Sequence, residues 1–173
     1  MDLLQLVFTA SVLVALFSGA VAAWHDISGL RIPNSIPLII IAAFIMAFGA
    51  STLGGHYNGS IFTLLLSHLA SGILVFAVTF LLYMRGLMGA GDTKLATGYA
   101  FWVGISALPF LLFFTAAAGG VLALIALLIK RMPKVPAFMR KNGWVFALRS
   151  GHNAIPYAVA IWLGAMAAII LAA

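Results

Sequence analysis

Residues 3–24 read LLQLVFTASVLVALFSGAVAAW, a run without a single charged side chain. At 1.5 Å per residue, a helix of about twenty such residues crosses the hydrocarbon core of a bilayer. The triplet Ala20-Val21-Ala22 imitates a signal-peptide cleavage site, but Asp2 is the only charge ahead of it and no Lys or Arg precedes Arg31. A secretory signal carries a positive start and a shorter apolar core, so this run is expected to be a retained membrane helix.

Composition carries the same reading to the whole chain. Of its 173 residues, 65% are hydrophobic and 7% charged, whereas a soluble domain has roughly a quarter of its residues charged. Nine Lys and Arg with three Asp and Glu cannot clothe a soluble surface of this size, and the bilayer is the implied solvent. Cysteine is absent, which excludes disulfides, thiolate catalysis and Cys-ligated zinc. The net charge of +6 does not point to nucleic acid, because the basic residues sit in short loops between apolar runs.

Six apolar segments follow one another, near Leu3–Trp24, Ser35–Ala50, Ser60–Met84, Thr93–Val103, Ser106–Ile129 and Ala154–Leu171. The second is marginal for a full crossing and the fourth is short, reaching partway or running through Ile105 to a break near Pro109. Arg31, Arg85, Lys94, Lys130, Arg131, Lys134, Arg140, Lys141 and Arg149 then all fall on one side of an alternating path. The loops around Gly54-Gly55-His56 and Gly104-Ile105 carry no base. By the positive-inside rule the basic side is cytoplasmic, so both termini face outward. The expected fold is an all-α integral membrane protein of about six transmembrane helices, with residues 1–173 forming a single domain.

The stretch from Lys130 to Ser150 mixes six bases with Pro133, Pro136, Phe138, Trp144 and Phe146. It reads either as an interfacial amphipathic segment or as a solvated topogenic loop. Ala160, Gly164 and Ala168 recur every fourth residue, a pattern that permits close helix packing.

Acids are scarce and therefore informative. Asp2 lies at the outer terminus, freely hydrated. Asp26 follows the first segment and Asp92 opens the fourth, both on the basic side and at one membrane depth. Taken singly, Asp92 reads as a helix N-cap and Asp26 as a boundary charge paired with Arg31. Taken together, they are carboxylates at a membrane edge, where ionisable groups tend to be functional or paired. Two carboxylates in one site share a proton, so the anion can take a proton from water while the neutral acid donates to a carbonyl. Such a pair hydrolyses a peptide bond without a cofactor. Gly89 and Gly91 either admit a close backbone approach or supply positive φ. His25, His56, His68 and His152 form no ligand cluster by spacing, and no metal site is expected; His68 reads as a hydrogen-bonding residue within the third segment.

The stretch Gly89-Ala90-Gly91-Asp92-Thr93-Lys94-Leu95 resembles the GxGD-x-K-L signature of type IV prepilin peptidases, which are intramembrane aspartyl proteases. Asp26 followed by Ile32-Pro33-Asn34 resembles that family's first catalytic segment, and Ile155-Pro156-Tyr157 a patch near its last helix, with Ala158 where glycine is usual. The resemblance spans essentially the whole chain. It implies that Asp26 and Asp92 are the catalytic pair, and that Gly89, Gly91, Lys94, Arg31, Pro33 and Asn34 support the site or position substrate. Lys94 would act on Asp92 or on substrate backbone, the alternative being a topogenic charge. The implied substrate is a prepilin, cut between a basic leader and a hydrophobic helix at the cytoplasmic face of a bacterial inner membrane. Larger relatives carry an added methyltransferase region, often with paired CxxC motifs. Its absence here resembles the short form associated with Flp/Tad-type pili, and methylation of the new N-terminus is not expected. A presenilin-like or signal-peptide-peptidase-like GxGD protease fits less well, lacking the Ile32-Pro33-Asn34 element. A proton-coupled transporter or export-machine subunit would want acids through the membrane, and an inactive relative would not need both aspartates.

Overall fold

The computed structural model describes residues 2–55, 59–133, 136, 142–151 and 155–172. His56, Lys134, Phe138, Arg140, Lys141, His152 and Ala154 lie outside them. Among the described residues all regular structure is helical: α1 (Leu3–Gly29), α2 (Ser35–Leu53), α3 (Ile61–Met84), α4 (Ala90–Arg131), α5 (Gly143–Arg149) and α6 (Tyr157–Ala172). Four of these, α1 to α4, are long and apolar enough to cross a membrane, and α6 is a shorter apolar helix.

Asp2 is not merely a hydrated terminal residue. Its carboxylate accepts from the Gln5 backbone N–H at 2.7 Å, and the Gln5 side chain accepts from the Asp2 N–H at 3.3 Å. This capping box satisfies two donors that a helix start leaves unpaired. At its other end α1 outlasts its apolar run, continuing past Trp24 to Gly29 before Leu30 turns left-handed at φ 52°. Asp26 therefore sits inside the last turn of α1 rather than after it. Hydropathy marks where side chains change character, not where the backbone ladder stops.

The fourth and fifth segments appear as one element, α4, with non-helical geometry at Gly104 (φ 62°, ψ −179°). That region of backbone space is open essentially to glycine only. The break falls at Gly104 and not near Pro109, which lies inside the second arm. Asp92 shares a cavity with Asp26, whose carboxylate meets the Ala158 N–H at the start of α6. Gly119 also lies against the start of α6, at Tyr157. A straight helix would hold residues 92 and 119 about 40 Å apart. The chain therefore doubles back at Gly104, and α4 consists of two arms, 90–103 and 105–131.

The core is built where the first arm meets α1, α2 and α6. Leu95, Tyr99, Ala22, Ile40, Ala158 and Ala165 are fully or almost fully buried there. Side-chain donors bond the carbonyls of neighbouring helices: Tyr99 Oη to Ala15 O at 2.8 Å, Trp102 Nε1 to Ile40 O at 2.9 Å and Trp162 Nε1 to Leu16 O at 2.9 Å. Between membrane helices, where water gives little drive to associate, such bonds and close packing replace the hydrophobic effect. Outward-facing Phe17, Ile45, Phe62, Ile73 and Phe113 are exposed, as lipid-facing side chains are.

The basic loop is not simply solvated. Trp144, Val145 and Leu148 of α5 are buried against Ala126 and Ile129 of the second arm, with Leu30 and Ile155 beside them. The small-residue row on α6 is a contact surface: Ala160 and Ala168 are fully buried, and a Cβ on Gly164 would collide with Thr115 and come within 3.0 Å of the Leu111 carbonyl. Gly120, by contrast, has open space around it. One substitution should therefore have opposite signs at the two sites. Thermal unfolding in detergent is expected to show Gly164→Ala destabilised by about 1–3 kcal/mol through overpacking. Gly120→Ala is expected to be stabilised by up to about 1 kcal/mol through helix propensity.

Candidate functional site

Three segments converge on one cavity of about 370 Å³: the end of α1, the connection to α2, and the start of α4. Its walls include Asp26, Arg31, Asn34, Gly89, Gly91, Asp92 and Lys94, together with Leu30, Ile32 and Ala90. Of the eight residues expected to form or support the site, all but Pro33 line it. That residue shapes the entry to α2 instead, its carbonyl accepting from the Ile36 N–H at 3.1 Å.

Asp26 is 6% exposed. Its Oδ2 accepts from the Ala158 backbone N–H at 3.0 Å. A helix start presents unpaired N–H groups and the positive end of the helix dipole, so the first turn of α6 is a suitable seat for a carboxylate. The Ile155-Pro156-Tyr157 patch builds that seat. Pro156 is buried and Tyr157 opens the helix, which leaves the next N–H directed at Asp26. Sequence reasoning singled out the patch but not the Ala158 amide, because a backbone donor has no residue signature.

Asp92 is not an N-cap. The cap position of α4 belongs to Gly89, and Asp92 lies in the first helical turn, with the Gly89 backbone hydrogen-bonded to its carboxylate. Its Oδ1 is buried and has no hydrogen-bond partner among the described residues. Neither Gly89 nor Gly91 has positive φ. Close approach is the reason for both: a Cβ on Gly89 would stand 2.8 Å from Asp92 Oδ2, and one on Gly91 would stand 3.0 Å from Ile32 Cβ. Gly91 thereby lets the segment after Asp26 lie against the segment carrying Asp92. The two carboxylates are near enough to act on each other electrostatically.

Lys94 closes the same junction. Its Nζ donates to Asn34 Oδ1 at 2.8 Å. Asn34 occupies the cap position of α2 without a capping bond from its side chain, which is turned toward Lys94 instead. Arg31 is exposed in the cavity wall. His25 is exposed beside Asp26, and His68 lies away from the cavity, bonded to Phe101. No group of three or more His, Cys, Asp or Glu able to hold a metal occurs among the described residues.

A model of the type IV leader peptidase family matches residues 12–124. That stretch is well over half of the chain and contains both segments that carry the aspartates. The chain belongs to the type IV leader peptidase family, and is thus a membrane protease. No curated protein and no solved structure matches it.

Two outcomes follow from the geometry. A hydrogen bond to a charged group is worth about 1.5–3 kcal/mol, so Ala158→Pro, which deletes the donor to Asp26, should slow substrate cleavage roughly 10- to 100-fold. Ala158→Gly keeps the donor and should stay close to the parent rate in the same assay. Asn34→Ala and Lys94→Ala should each cost only part of the activity, and the double variant should be no slower than the worse single one, since each change breaks the same bond.

Proposed function

We propose that Asp26 and Asp92 are the catalytic pair of an aspartic endopeptidase that removes the leader from type IV prepilins of the Flp kind. The observation that carries this reading is their convergence. Two of the chain's three acids, brought from separate helices, line one cavity at helix ends within a protease family. The third, Asp2, caps the far end of α1.

The chemistry needs no group beyond the pair. Close carboxylates share a proton, and their titration belongs to the pair rather than to either residue. The anionic member takes a proton from a water as that water attacks the scissile carbonyl carbon. The neutral member donates its proton to the carbonyl oxygen. The tetrahedral intermediate collapses as the member that took the water proton gives it to the amide nitrogen and the other takes one back from a hydroxyl of the intermediate. The C–N bond breaks, leader and mature chain leave, and the pair again holds one proton. The bond from Ala158 fixes the Asp26 carboxylate, and the packing of Gly89 fixes that of Asp92, so little reorganisation remains for the reaction itself.

Location supports a substrate presented from the membrane. Trp24 and Tyr83, 70% and 45% exposed, flank the helix ends nearest the cavity. Exposed aromatic rings of this kind mark the membrane–water boundary. Arg31, Arg85 and Lys94 lie at the same end, a concentration of bases that supports a cytoplasmic face there. A site at this depth suits a scissile bond between a hydrated basic leader and an apolar helix. It also suits a multi-pass protein of a bacterial inner membrane with both termini outside.

The test is co-expression with the pilin precursor encoded nearby, reading leader removal by gel shift. Asp26→Asn, Asp26→Ala, Asp92→Asn and Asp92→Ala should each insert normally and lose cleavage, by at least the roughly 10²- to 10⁴-fold that acid–base catalysis contributes. Full processing by any of the four would overturn the assignment.

A further inference from the structure

α3 contributes nothing to the walls of the aspartate cavity, yet it packs chiefly against α4. Its contacts run along the first arm. Near Asp92, Thr93 Oγ1 donates to the Thr79 carbonyl at 3.3 Å. Midway, the Phe101 ring lies over Gly72, where no Cβ would fit. At the far end two consecutive residues of α3 receive the break itself: Ser67 Oγ accepts from the Ile105 N–H at 3.0 Å, and His68 Nδ1 bonds the Phe101 carbonyl at 2.7 Å. A carbonyl oxygen only accepts, so Nδ1 carries the proton.

These bonds answer a definite need. A helix end leaves carbonyls unpaired and a helix start leaves N–H groups unpaired. Within hydrocarbon each such group costs several kcal/mol. Ser67 pairs one group of the second arm and His68 one of the first, on either side of Gly104. The surroundings are apolar. The rings of Phe44 and Phe48 lie 5.2 and 5.9 Å from the His68 ring, and Trp102 and Val103 border a cavity of about 310 Å³ beside it. Hydrogen bonds gain strength in such a medium.

We infer that Ser67 and His68 are positioning residues for Asp92. The first arm is a rod about 14 Å long between Phe101 and Asp92. Its height and rotation at Phe101 are therefore its height and rotation at Asp92, and a slip of one residue would turn the carboxylate about 100° from Asp26. The inference rests on the proposed role of Asp92, but its structural half can be read without any cleavage.

The experiment uses the full chain in lipid nanodiscs. Cysteine is absent from the sequence, so His25→Cys and Leu87→Cys place two spin labels unambiguously, one beside each aspartate-bearing segment. Three backgrounds are compared: parent, His68→Leu, and His68→Asn, whose amide nitrogen reproduces the Nδ1 donor. His68→Leu should broaden or shift the interlabel distance distribution, and His68→Asn should restore it. Without labels, His68→Leu should lower kcat for a prepilin substrate roughly 10- to 100-fold, the scale of a misplacement of about 1 Å, with KM little changed. His68→Asn should recover most of that loss, and Ser67→Ala should show a weaker version of the defect while remaining folded by circular dichroism. A parent-like distance distribution in His68→Leu overturns the inference whatever the activity. So does a His68→Asn variant as slow as His68→Leu. Cleavage that persists in Asp92→Ala refutes the catalytic reading instead, and leaves the distance result standing as a statement about the fold.

Discussion

A helix that reverses direction must leave backbone groups without partners, and much of this structure follows from how α4 meets that requirement at Gly104. Regular helix needs no outside help, because every interior N–H and C=O is paired along the chain. A reversal does need help. Here the pairing comes from side chains of α3, and the backbone excursion is one that only glycine adopts without strain. The doubling back returns the second arm to the start of α6, and so lets one continuous element serve two purposes. Its first arm carries Asp92, and its second packs against α6, whose N-terminus holds Asp26.

That N-terminus explains how a carboxylate can be 6% exposed at the edge of an apolar bundle. Burying a charge costs heavily unless it is hydrogen-bonded. Asp26 meets the condition with a backbone donor and a helix dipole rather than with a cation. The chain's cations nearby, Arg31 and Lys94, stay in the exposed wall. Holding the acid by a peptide N–H leaves the long basic side chains in the exposed wall of the cavity rather than paired with the carboxylate.

Much of this was legible in the sequence, and the parts that were not share a physical cause. The apolar runs placed α1, α2, α3 and α6, and the absence of bases around Gly104-Ile105 marked the reversal as a loop. The pairing of Asp26 with Asp92 followed from scarcity and position. What escaped was backbone chemistry. The end of α1 lies beyond its apolar run because hydrogen bonding continues into polar residues. The cap of α4 falls on Gly89 although aspartate is the better capping residue, because the carboxylate turns back to the Gly89 backbone. The Ala158 amide, the donor to Asp26, has no signature at all. The glycines of Gly89-Ala90-Gly91 invited two explanations, and only three-dimensional packing separates them: both backbones are ordinary, and it is the neighbouring Asp92 and Ile32 that leave no room for a side chain.

The site's two halves rest on one shared core, in which the first arm of α4 packs against α1 and α6. Asp26 is held by α1 and the start of α6, and Asp92 by the first arm of α4 and, through it, by α3. At the cavity itself the contacts between the two segments are small: Ile32 against the bare backbone of Gly91, and Lys94 on Asn34. A contact made by one glycine and one exposed amide sets them close while leaving the cavity open to the exposed wall. On the proposed reading, an extended segment of another polypeptide enters between the two acids, which calls for firm attachment of each acid and an opening between them. Ile32 and Asn34 after Asp26, with Gly91 and Lys94 around Asp92, line that opening.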